Sequence, residues 1–319
     1  MKTDTLQKLI KCGVCGRPAP FVFKEKVEIY TLWECPLCFI QFWEPMKNPG
    51  QEWYEADPCL SFRNVVKRIS LDKNHKEFLK ENIQPARLLD VGMGTGNFML
   101  AAQKRGYDVW GIDFNKESVK VARNNFGLKN SYPETLETFI GRYKGPPFEV
   151  VTCFEVIEHL DNPGEFLESA KTILTPNGYL ALSVPNRDSH RLFKDMDHPP
   201  KHLTRWDERS MGNFLENYGF QIIRLKKLRP DFSYLVMKFH RWTQGFLSFG
   251  LVNKLASVSA VPVGPEVEKK LMAKIDLLRR LAQIKDWLIF TLPAAILYFY
   301  LFLRRQHYAG LYVLARKRV

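Results

Sequence analysis

The sequence predicts an α/β protein that carries a small cysteine-containing ribbon at its N-terminal end. Two Cys-x-x-Cys pairs within residues 12–38 indicate the ribbon. A strand, a glycine-rich turn, a helix and a second strand follow one another in residues 86–115, as in nucleotide-binding βαβ units. A basic and apolar segment then precedes a last strand-like run at 309–318. With 319 residues, the chain can bury one large core and a small satellite domain.

The excess of positive charge is confined to the C-terminal third of the chain. The net charge is +13; residues 1–219 hold 29 Lys/Arg and 29 Asp/Glu, whereas residues 220–319 hold 18 and 5. A basic surface can bind nucleic acid or anionic lipid, and the uncharged run Trp287–Leu303 within the basic part favours lipid. A solvated basic face is the alternative. The first residues lack the apolar core of a secretory signal, so we expect the chain in the cytoplasm.

Four of the six cysteines form two pairs with nineteen residues between them, a spacing typical of four-thiolate zinc sites. The intervening FVFKEKVEIYTLWE alternates in polarity and predicts a β-hairpin that brings the pairs together. Four thiolates leave no open coordination position, so the predicted zinc is structural; two disulfides are the alternative, which a cytoplasmic location disfavours. Cys59 and Cys153 lack a partner at such a spacing. The predicted zinc ligands are Cys12, Cys15, Cys35 and Cys38.

Residues 86–98 read ARLLDVGMGTGNF, an apolar strand that enters a turn with glycines at alternate positions and then a helix. The next strand, YDVWGIDFN, carries Asp113 near its end. Glycine lets a ligand approach the backbone closely, and a carboxylate suits a ribose because it accepts hydrogen bonds from both hydroxyls. The spacing differs from the G-x-G-x-x-G of dinucleotide-binding proteins. An ordinary tight turn is the alternative.

The spacing D-x-G-x-G-x-G, which starts at Asp90, resembles the first motif of the class I S-adenosylmethionine-dependent methyltransferases. Three further segments resemble parts of that fold: FEVVTCFEVIEHL (148–160), LTPNGYLALSVPN (174–186) and HPPKHLTRW (198–206). The last segment is similar to one in the branch that includes the ubiquinone-biosynthesis O-methyltransferases. The resemblance implies a Rossmann-like seven-stranded sheet whose last two strands, at 220–228 and 309–318, pair with each other.

The resemblance implies S-adenosylmethionine as the cofactor and gives each matching position a role. The three glycines would border its methionine end, Asp90 would hold its amino group, and Asp113 would hold its ribose. Phe114 would lie along the adenine, and PETLETF (133–139) would supply the adenine-binding turn. The residues at the end of the fourth strand would face the reacting methyl group. The expected cofactor-binding residues are Asp90, Gly92, Gly94, Gly96, Asp113, Phe114, Thr135, Leu136, Cys153 and Phe154.

An acidic and histidine-containing cluster follows the fourth strand directly, and its members share one face if a helix begins there. Two carboxylates and an imidazole can hold a divalent cation or act as a base. The resemblance implies magnesium at Glu155, Glu158 and His159; a purely structural role near the cofactor is the alternative. His202 is a second candidate base. The expected catalytic residues are His159, Glu155, Glu158 and His202.

The segment around His202 also predicts a substrate entrance. Lys201, Arg205 and Trp206 suit the binding of a phosphate or an acidic sugar, with packing at a helix start as the alternative.

An insertion separates the two strands that must pair, so both of its ends lie on the same side of any membrane. A single crossing by Trp287–Leu303 is therefore excluded, and Pro293 interrupts the run. Four interpretations of Trp287–Leu303 remain: a re-entrant segment, a hairpin with residues 245–265, a helix in the membrane interface, or a buried cap helix. Residues 266–287 predict a basic amphipathic helix. The expected boundaries are 1–44 for the zinc ribbon, 45–84 for a linker and lead-in helix, 85–228 for the core, 229–308 for the insertion and 309–319 for the last strand.

These patterns together predict a cytoplasmic methyltransferase that is peripheral on the inner face of the membrane. The expected reaction is O-methylation of a small or lipid-linked acceptor, such as a saccharide or a quinone precursor. An RNA methyltransferase and a non-catalytic binding protein of the same fold are the alternatives. Residues 1–44 hold 6 Lys/Arg and 5 Asp/Glu, a near balance that argues against nucleic acid as a partner. The acceptor, the methylated atom and the oligomeric state stay open.

Overall fold

The computed structural model describes residues 9–50, 52–53, 71–189, 197–230, 232, 234–236, 289–305 and 308–318. The chain divides into two compact units, Met1–Leu228 with Tyr308–Val319, and Arg229–His307. The expected α/β fold is confirmed, because the first unit contains both a seven-stranded sheet and the cluster of four N-terminal cysteines.

The ribbon is made of short antiparallel strands. They are β1 (Leu9–Lys11), β2 (Pro18–Pro20), β3 (Val22–Val27), β4 (Tyr30–Glu34) and β5 (Gln41–Glu44). Strand β1 pairs with β2, while β3, β4 and β5 pair in sequence order. The predicted hairpin is present as β3 and β4. The first cysteine pair lies between β1 and β2 and the second between β4 and β5, so the two hairpins carry all four thiols.

Helix α1 (Lys73–Phe78) precedes a core in which strands alternate with helices. The elements of this core are β6 (Arg87–Val91), α2 (Asn97–Gln103), β7 (Asp108–Ile112), α3 (Lys116–Phe126), β8 (Ser131–Tyr132), α4 (Leu136–Arg142), β9 (Phe148–Phe154), α5 (Pro163–Ile173), β10 (Leu174–Pro185), β11 (Thr204–Arg205), α6 (Glu208–Asn217), β12 (Phe220–Leu228) and β13 (Gly310–Lys317). A single 3₁₀ turn, Ile157–His159, follows β9.

The large sheet has the strand order β12-β13-β10-β9-β6-β7-β8. The five strands from β10 to β8 run parallel, and β13 is antiparallel to both β10 and β12. Strands β6 and β9 are nearly continuous in apolar residues and almost fully buried, as expected for parallel strands covered on both faces. Because the carboxyl ends of parallel strands meet at one edge, the segments that follow β6, β7, β8 and β9 lie along the same edge.

Strand β11 joins the ribbon to the core. Thr204 pairs with Phe42 and Arg205 with Gln41, so β11 becomes the fourth strand of the ribbon sheet. Trp206 is fully buried and belongs to the core.

The prediction that Arg205 and Trp206 line a substrate entrance is therefore wrong. The guanidinium of Arg205 donates to Glu25 at 2.7 Å, contacts Asp197 at 2.9 Å and lies over the Trp43 ring. Arg205 therefore joins the ribbon to the core, and Trp206 packs against Phe214 within the core.

The helix in the second unit spans residues 289–303 and contains Pro293 without a break. Ala294 and Leu301, seven positions apart, are fully buried. No helix among the described residues has the length and apolar character needed to cross a bilayer. The predicted partners of this segment, at 245–265 and 266–287, lie outside the described residues. The exposed apolar side chains of the helix are Ile289, Leu292, Ile296, Phe299, Tyr300, Phe302 and Leu303.

Candidate active site

The turn after β6 requires glycine and leaves its backbone open. Gly92 has a φ of +76°, and a Cβ there would lie 2.3 Å from Cγ2 of Val156. Gly94 has a φ of +52°, and a Cβ there would meet no atom within 4 Å. Gly96 precedes α2 as its N-cap. The amide of Gly92 donates to the carbonyl of Ile112 at 2.8 Å, which fastens the turn to the end of β7.

Asp113 supports this turn from the neighbouring strand. Its Oδ2 accepts a hydrogen bond from the amide of Gly94 at 2.9 Å, and its Oδ1 accepts one from the amide of Asn115 at 2.8 Å. Burial raises the pKa of Asp113, and the two amide bonds oppose that rise. Phe114, the next residue, is 38% exposed. The carboxylate is thus held in one orientation beside an open stretch of backbone.

Asp90 lies on β6, two residues before the first glycine of the turn. It is 3% exposed, and its Oδ1 accepts a hydrogen bond from the hydroxyl of Thr152 at 2.7 Å. Burial raises the pKa of Asp90 to about 7, and the nearby charge of Asp113 contributes in the same direction. Asp90 therefore titrates near neutral pH.

The loop after β8 brings Thr135 and Leu136 to the same edge of the sheet. Strand β8 has two residues and pairs in parallel with the end of β7, so it is too short to produce a clear strand pattern in the sequence. Thr135 is the N-cap of α4 and accepts a hydrogen bond from the amide of Thr138. Leu136 is buried in the hydrophobic core.

Cys153 and Phe154 end strand β9 inside the protein. Cys153 is fully buried, and burial raises the pKa of its thiol well above the usual value. The ring of Phe154 meets the edge of Phe98 at 5.1 Å and that of His75 at 5.3 Å between centroids. Burial lowers the pKa of His75 to about 4, so this imidazole is neutral at pH 7. No local motif in the sequence indicates this aromatic cluster.

Glu155 departs from the expectation that a helix begins there. Its φ is +57°, in the left-handed region, and the only helical turn near it is the 3₁₀ turn Ile157–His159. Oε1 of Glu155 accepts a hydrogen bond from the hydroxyl of Ser183 at 2.8 Å. The Ser183 oxygen in turn accepts one from the side-chain amide of Asn74 at 2.7 Å. Ser183 and Asn74 are site residues that the sequence did not reveal, because no local motif surrounds them.

Glu158, His159 and His202 form a compact cluster, the Glu158–His202 group. One ligand atom from each lies within 4.8 Å of the others, and the two imidazole centroids are 4.8 Å apart. Glu158 is 1% exposed, and burial raises its pKa well above the usual value, with the charge of Glu155 as the second cause. The group differs in one member from the expected metal-binding trio, since His202 takes the place of Glu155.

A family profile described as a methyltransferase domain matches residues 64–225, half of the chain. The chain belongs to the methyltransferase domain family. The matched range contains the glycine turn, Asp113 and the Glu158–His202 group, and it excludes the ribbon and the helix at 289–303.

Curated relatives of the methyltransferase domain are ubiquinone biosynthesis O-methyltransferases. The protein of that name from Actinobacillus pleuropneumoniae serotype 7 is 37% identical over 138 residues, which cover 41% of this chain and 59% of the relative. The one from Caulobacter sp. strain K31 is 30% identical over 154 residues, which cover 46% of this chain and 59% of the relative. The chain thus spans about three fifths of the length of these relatives. A solved S-adenosylmethionine-dependent methyltransferase from Archaeoglobus fulgidus has a TM-score of 0.48 and 15% identity, over 83% of this chain and 97% of that one.

The ribbon that precedes the methyltransferase domain brings its four thiols together in a geometry that suits one ion. Sγ of Cys12 lies 3.8 Å from that of Cys38, and Sγ of Cys15 lies 3.9 Å from that of Cys35. A tetrahedral zinc with bonds of about 2.3 Å places its sulfurs about 3.8 Å apart. The cluster can therefore hold a zinc ion, and the structure shows these four cysteines as free thiols rather than disulfides.

The two cysteine turns repeat one backbone pattern. In the first, the amide of Cys12 donates to the carbonyl of Arg17, and that of Gly16 donates to the carbonyl of Cys12. In the second, the amide of Cys35 donates to the carbonyl of Ile40, and the amide of Phe39 donates to the carbonyl of Cys35. Gly16 and Phe39 both have positive φ, at +69° and +62°. Both turns thus present their sulfurs in the same way, as expected for equivalent halves of one metal site.

The ribbon also contacts the backbone of the Glu158–His202 group from both sides. The amide of Trp43, on β5, donates to the carbonyl of Leu203 at 2.9 Å. The amide of Leu203 donates to the carbonyl of Glu158 at 2.7 Å. After β5, the side-chain amide of Asn48 donates to the carbonyl of His159 at 2.8 Å. Since β5 starts three residues after Cys38, the second cysteine turn and the active-site backbone belong to one hydrogen-bonded framework.

We expect Cys35→Ser/Cys38→Ser to loosen this framework. Hydrogen–deuterium exchange should become faster at the amides of Trp43 and Leu203, because β5 loses the cysteine turn that precedes it. Helix α3, beside the edge strand β8, should keep its rate. The control is Cys59→Ser, which removes a thiol outside the two pairs. Unchanged exchange at both amides in a variant that has lost its zinc would show that the ribbon does not hold the site.

Proposed function

We propose that the protein is an S-adenosylmethionine-dependent methyltransferase that transfers the methyl group to an oxygen of a small or lipid-linked acceptor. The observation that supports this most strongly is the open turn at Gly94, which is hydrogen-bonded to the Asp113 carboxylate inside a domain of the methyltransferase family. The relatives named as ubiquinone biosynthesis O-methyltransferases favour oxygen as the methylated atom and a quinone precursor as the acceptor.

The residues at the sheet edge fit this cofactor. Each oxygen of Asp113 accepts one backbone hydrogen bond, which leaves acceptor capacity on both for the ribose hydroxyls. Asp90 supplies a buried carboxyl group for the amino group, and Phe114 an exposed ring for the adenine. The absence of a side chain at Gly94 keeps the backbone approachable. We assign cofactor binding to Asp90, Gly92, Gly94, Gly96, Asp113, Phe114, Thr135, Leu136, Cys153 and Phe154.

The chemistry needs an oriented acceptor and a site for its proton. S-adenosylmethionine supplies a methyl group that its sulfonium already activates. We assign the role of base to His159 or His202. Their Nδ1 atoms lie beside the Lys201 carbonyl and the Asp197 carboxylate, respectively, so Nε2 would be the atom that accepts the hydroxyl proton. Glu155, fixed by Ser183, orients the acceptor. The resemblance implies magnesium beside these groups, and the buried carboxylate of Glu158 suits a cation.

The acceptor is proposed to be amphiphilic, with the protein peripheral on an anionic membrane at its cytoplasmic face. Ile296, Phe299 and Leu303 are exposed on the helix at 289–303, and residues 220–319 carry the whole positive excess of the chain. Apolar side chains beside basic residues favour insertion at the surface of an anionic bilayer.

Replacement of Asp113 by Ala tests the cofactor assignment. The variant should bind S-adenosylmethionine at least about tenfold more weakly in calorimetry, since it loses hydrogen bonds from a charged acceptor. Asp108→Ala is the matched control, because Asp108 begins the same strand and its side chain is 55% exposed. Equal affinities in the two variants would contradict the assignment.

Cofactor affinity should rise with pH through the titration of Asp90. Its pKa of about 7 means that the carboxyl is neutral below that pH and charged above it. Because the ammonium group of the cofactor prefers the charged form, binding should tighten about fivefold between pH 6 and pH 7. Calorimetry on Asp90→Asn should show no such slope; an equal slope in the variant would assign the dependence to another group.

Vesicle flotation tests the membrane proposal. The full chain should float with vesicles of phosphatidylcholine and phosphatidylglycerol. With vesicles of phosphatidylcholine alone, it should remain at the bottom of the gradient. Ile296→Lys should weaken binding about tenfold, because a charge replaces an inserted side chain. Ile29→Lys, at a similarly exposed position in the ribbon (71% against 64%), should not. Absence of flotation with both vesicle types would remove the membrane from the proposal.

A further inference from the structure

A series of charged side chains connects the ribbon to His202. The guanidinium of Arg205 donates to Oε1 of Glu25, on β3, at 2.7 Å and lies over the ring of Trp43, on β5. On its other side, Nη2 of Arg205 donates to the carbonyl of Asp197 at 2.8 Å, and Nε lies 2.9 Å from Oδ2 of Asp197. Two strands of the ribbon thus hold one guanidinium, and that guanidinium holds both the backbone and the side chain of Asp197.

The other oxygen of Asp197 lies beside His202. The amide of His202 donates to the carbonyl of His198 at 3.1 Å, which closes a turn and brings the two side chains together. Oδ1 of Asp197 is 3.3 Å from Nδ1 of His202, and the two residues are 6% and 8% exposed. Because an ionised carboxylate only accepts hydrogen bonds, Nδ1 carries the proton in this contact. In a neutral ring, the lone pair is then on Nε2.

The partner of His202 needs a support of its own, unlike the partner of His159. Nδ1 of His159 lies 2.6 Å from the carbonyl oxygen of Lys201, which the main chain holds in place. A carboxylate can instead rotate about its side-chain bonds, and the contacts with Arg205 restrict that rotation. A buried ion pair adds little net stability, and its best attested use is to fix one arrangement.

We propose that Asp197 is a positioning residue that holds His202 in the Nδ1–H tautomer, and that the ribbon keeps Asp197 in place through Arg205. The guanidinium occupies Oδ2, so Oδ1 is the oxygen left for the imidazole. Nε2 of His202 is then the nitrogen that can take the proton of the acceptor. The inference rests on the proposed function, to which it adds a role for Asp197 and for the ribbon.

Nitrogen NMR of the full chain tests the tautomer without donor or acceptor, so its outcome is independent of methyl transfer. Protein labelled with ¹⁵N-histidine is measured at about pH 8.5, where a model imidazole is neutral. The signals that disappear in His202→Gln identify the ring of His202. In the wild type, Nδ1 should show the shift of a protonated nitrogen and Nε2 that of an unprotonated one. A wild-type His202 with its proton on Nε2 would overturn the proposal.

Asp197→Asn should change the tautomer while it preserves the size of the side chain. The amide group of Asn can donate to Nδ1, so the ratio of the Nδ1–H to the Nε2–H form of His202 should fall at least about tenfold. Asp188→Asn is the control, because it neutralises an exposed carboxyl group elsewhere in the core, and it should leave the ratio unchanged. The wild-type ratio in Asp197→Asn would also overturn the proposal.

Arg205→Met tests the part played by the ribbon. Methionine keeps an unbranched apolar chain against Trp43 but lacks the donors to Asp197, so His202 should show both tautomers. Arg209→Met is the matched control, because Arg209 lies over another ring of the ribbon, that of Phe39, and it should keep the wild-type spectrum. A wild-type spectrum in Arg205→Met would overturn the role of the ribbon. Equal changes in both variants would overturn it in favour of a purely structural junction.

Discussion

The backbone of Leu203 is the point on which the arrangement of the active site depends. Its carbonyl accepts from Trp43 of the ribbon and its amide donates to Glu158 of the core. These two bonds place β11 between the four-cysteine ribbon and the segment that follows β9. His202 directly precedes Leu203, and His159 directly follows Glu158. The hydrogen bond between Leu203 and Glu158 therefore brings the two histidines close together. The ribbon is therefore part of the active-site framework rather than an appended binding module.

The edge of the parallel sheet collects buried carboxyl groups. Asp90, Asp113 and Glu158 are each held where burial raises the pKa. Backbone amides and a hydroxyl satisfy the first two only in part. A protein with such an edge favours ligands that bring positive charge. A sulfonium cofactor with an ammonium group would meet this requirement.

The sequence predicted those parts of the structure that local patterns encode. The four cysteines and the strand before Asp113 follow from motifs, and the pairing of β12 with β13 follows from the resemblance to the class I methyltransferases. The partnership of His202 with Glu158 and the pairing of β11 with β5 join residues far apart in the chain, and no periodicity reveals such contacts. Asn74 and Ser183 were missed for the same reason. Arg205 and Trp206 were assigned to an entrance because a basic and an aromatic residue suit a substrate as well as they suit a packed junction. Glu155 would share a face with Glu158 and His159 only on a helix, whereas its backbone is left-handed and the 3₁₀ turn begins at Ile157.

A crystal structure of the full chain with S-adenosylhomocysteine would test the central claim most directly. The ribose hydroxyls should lie within hydrogen-bond distance of the Asp113 carboxylate, with the sulfur near the glycine turn and facing the end of β9. Electron density for the ligand elsewhere on the protein, or an Asp113 that contacts only its own backbone partners in the loaded crystal, would contradict it.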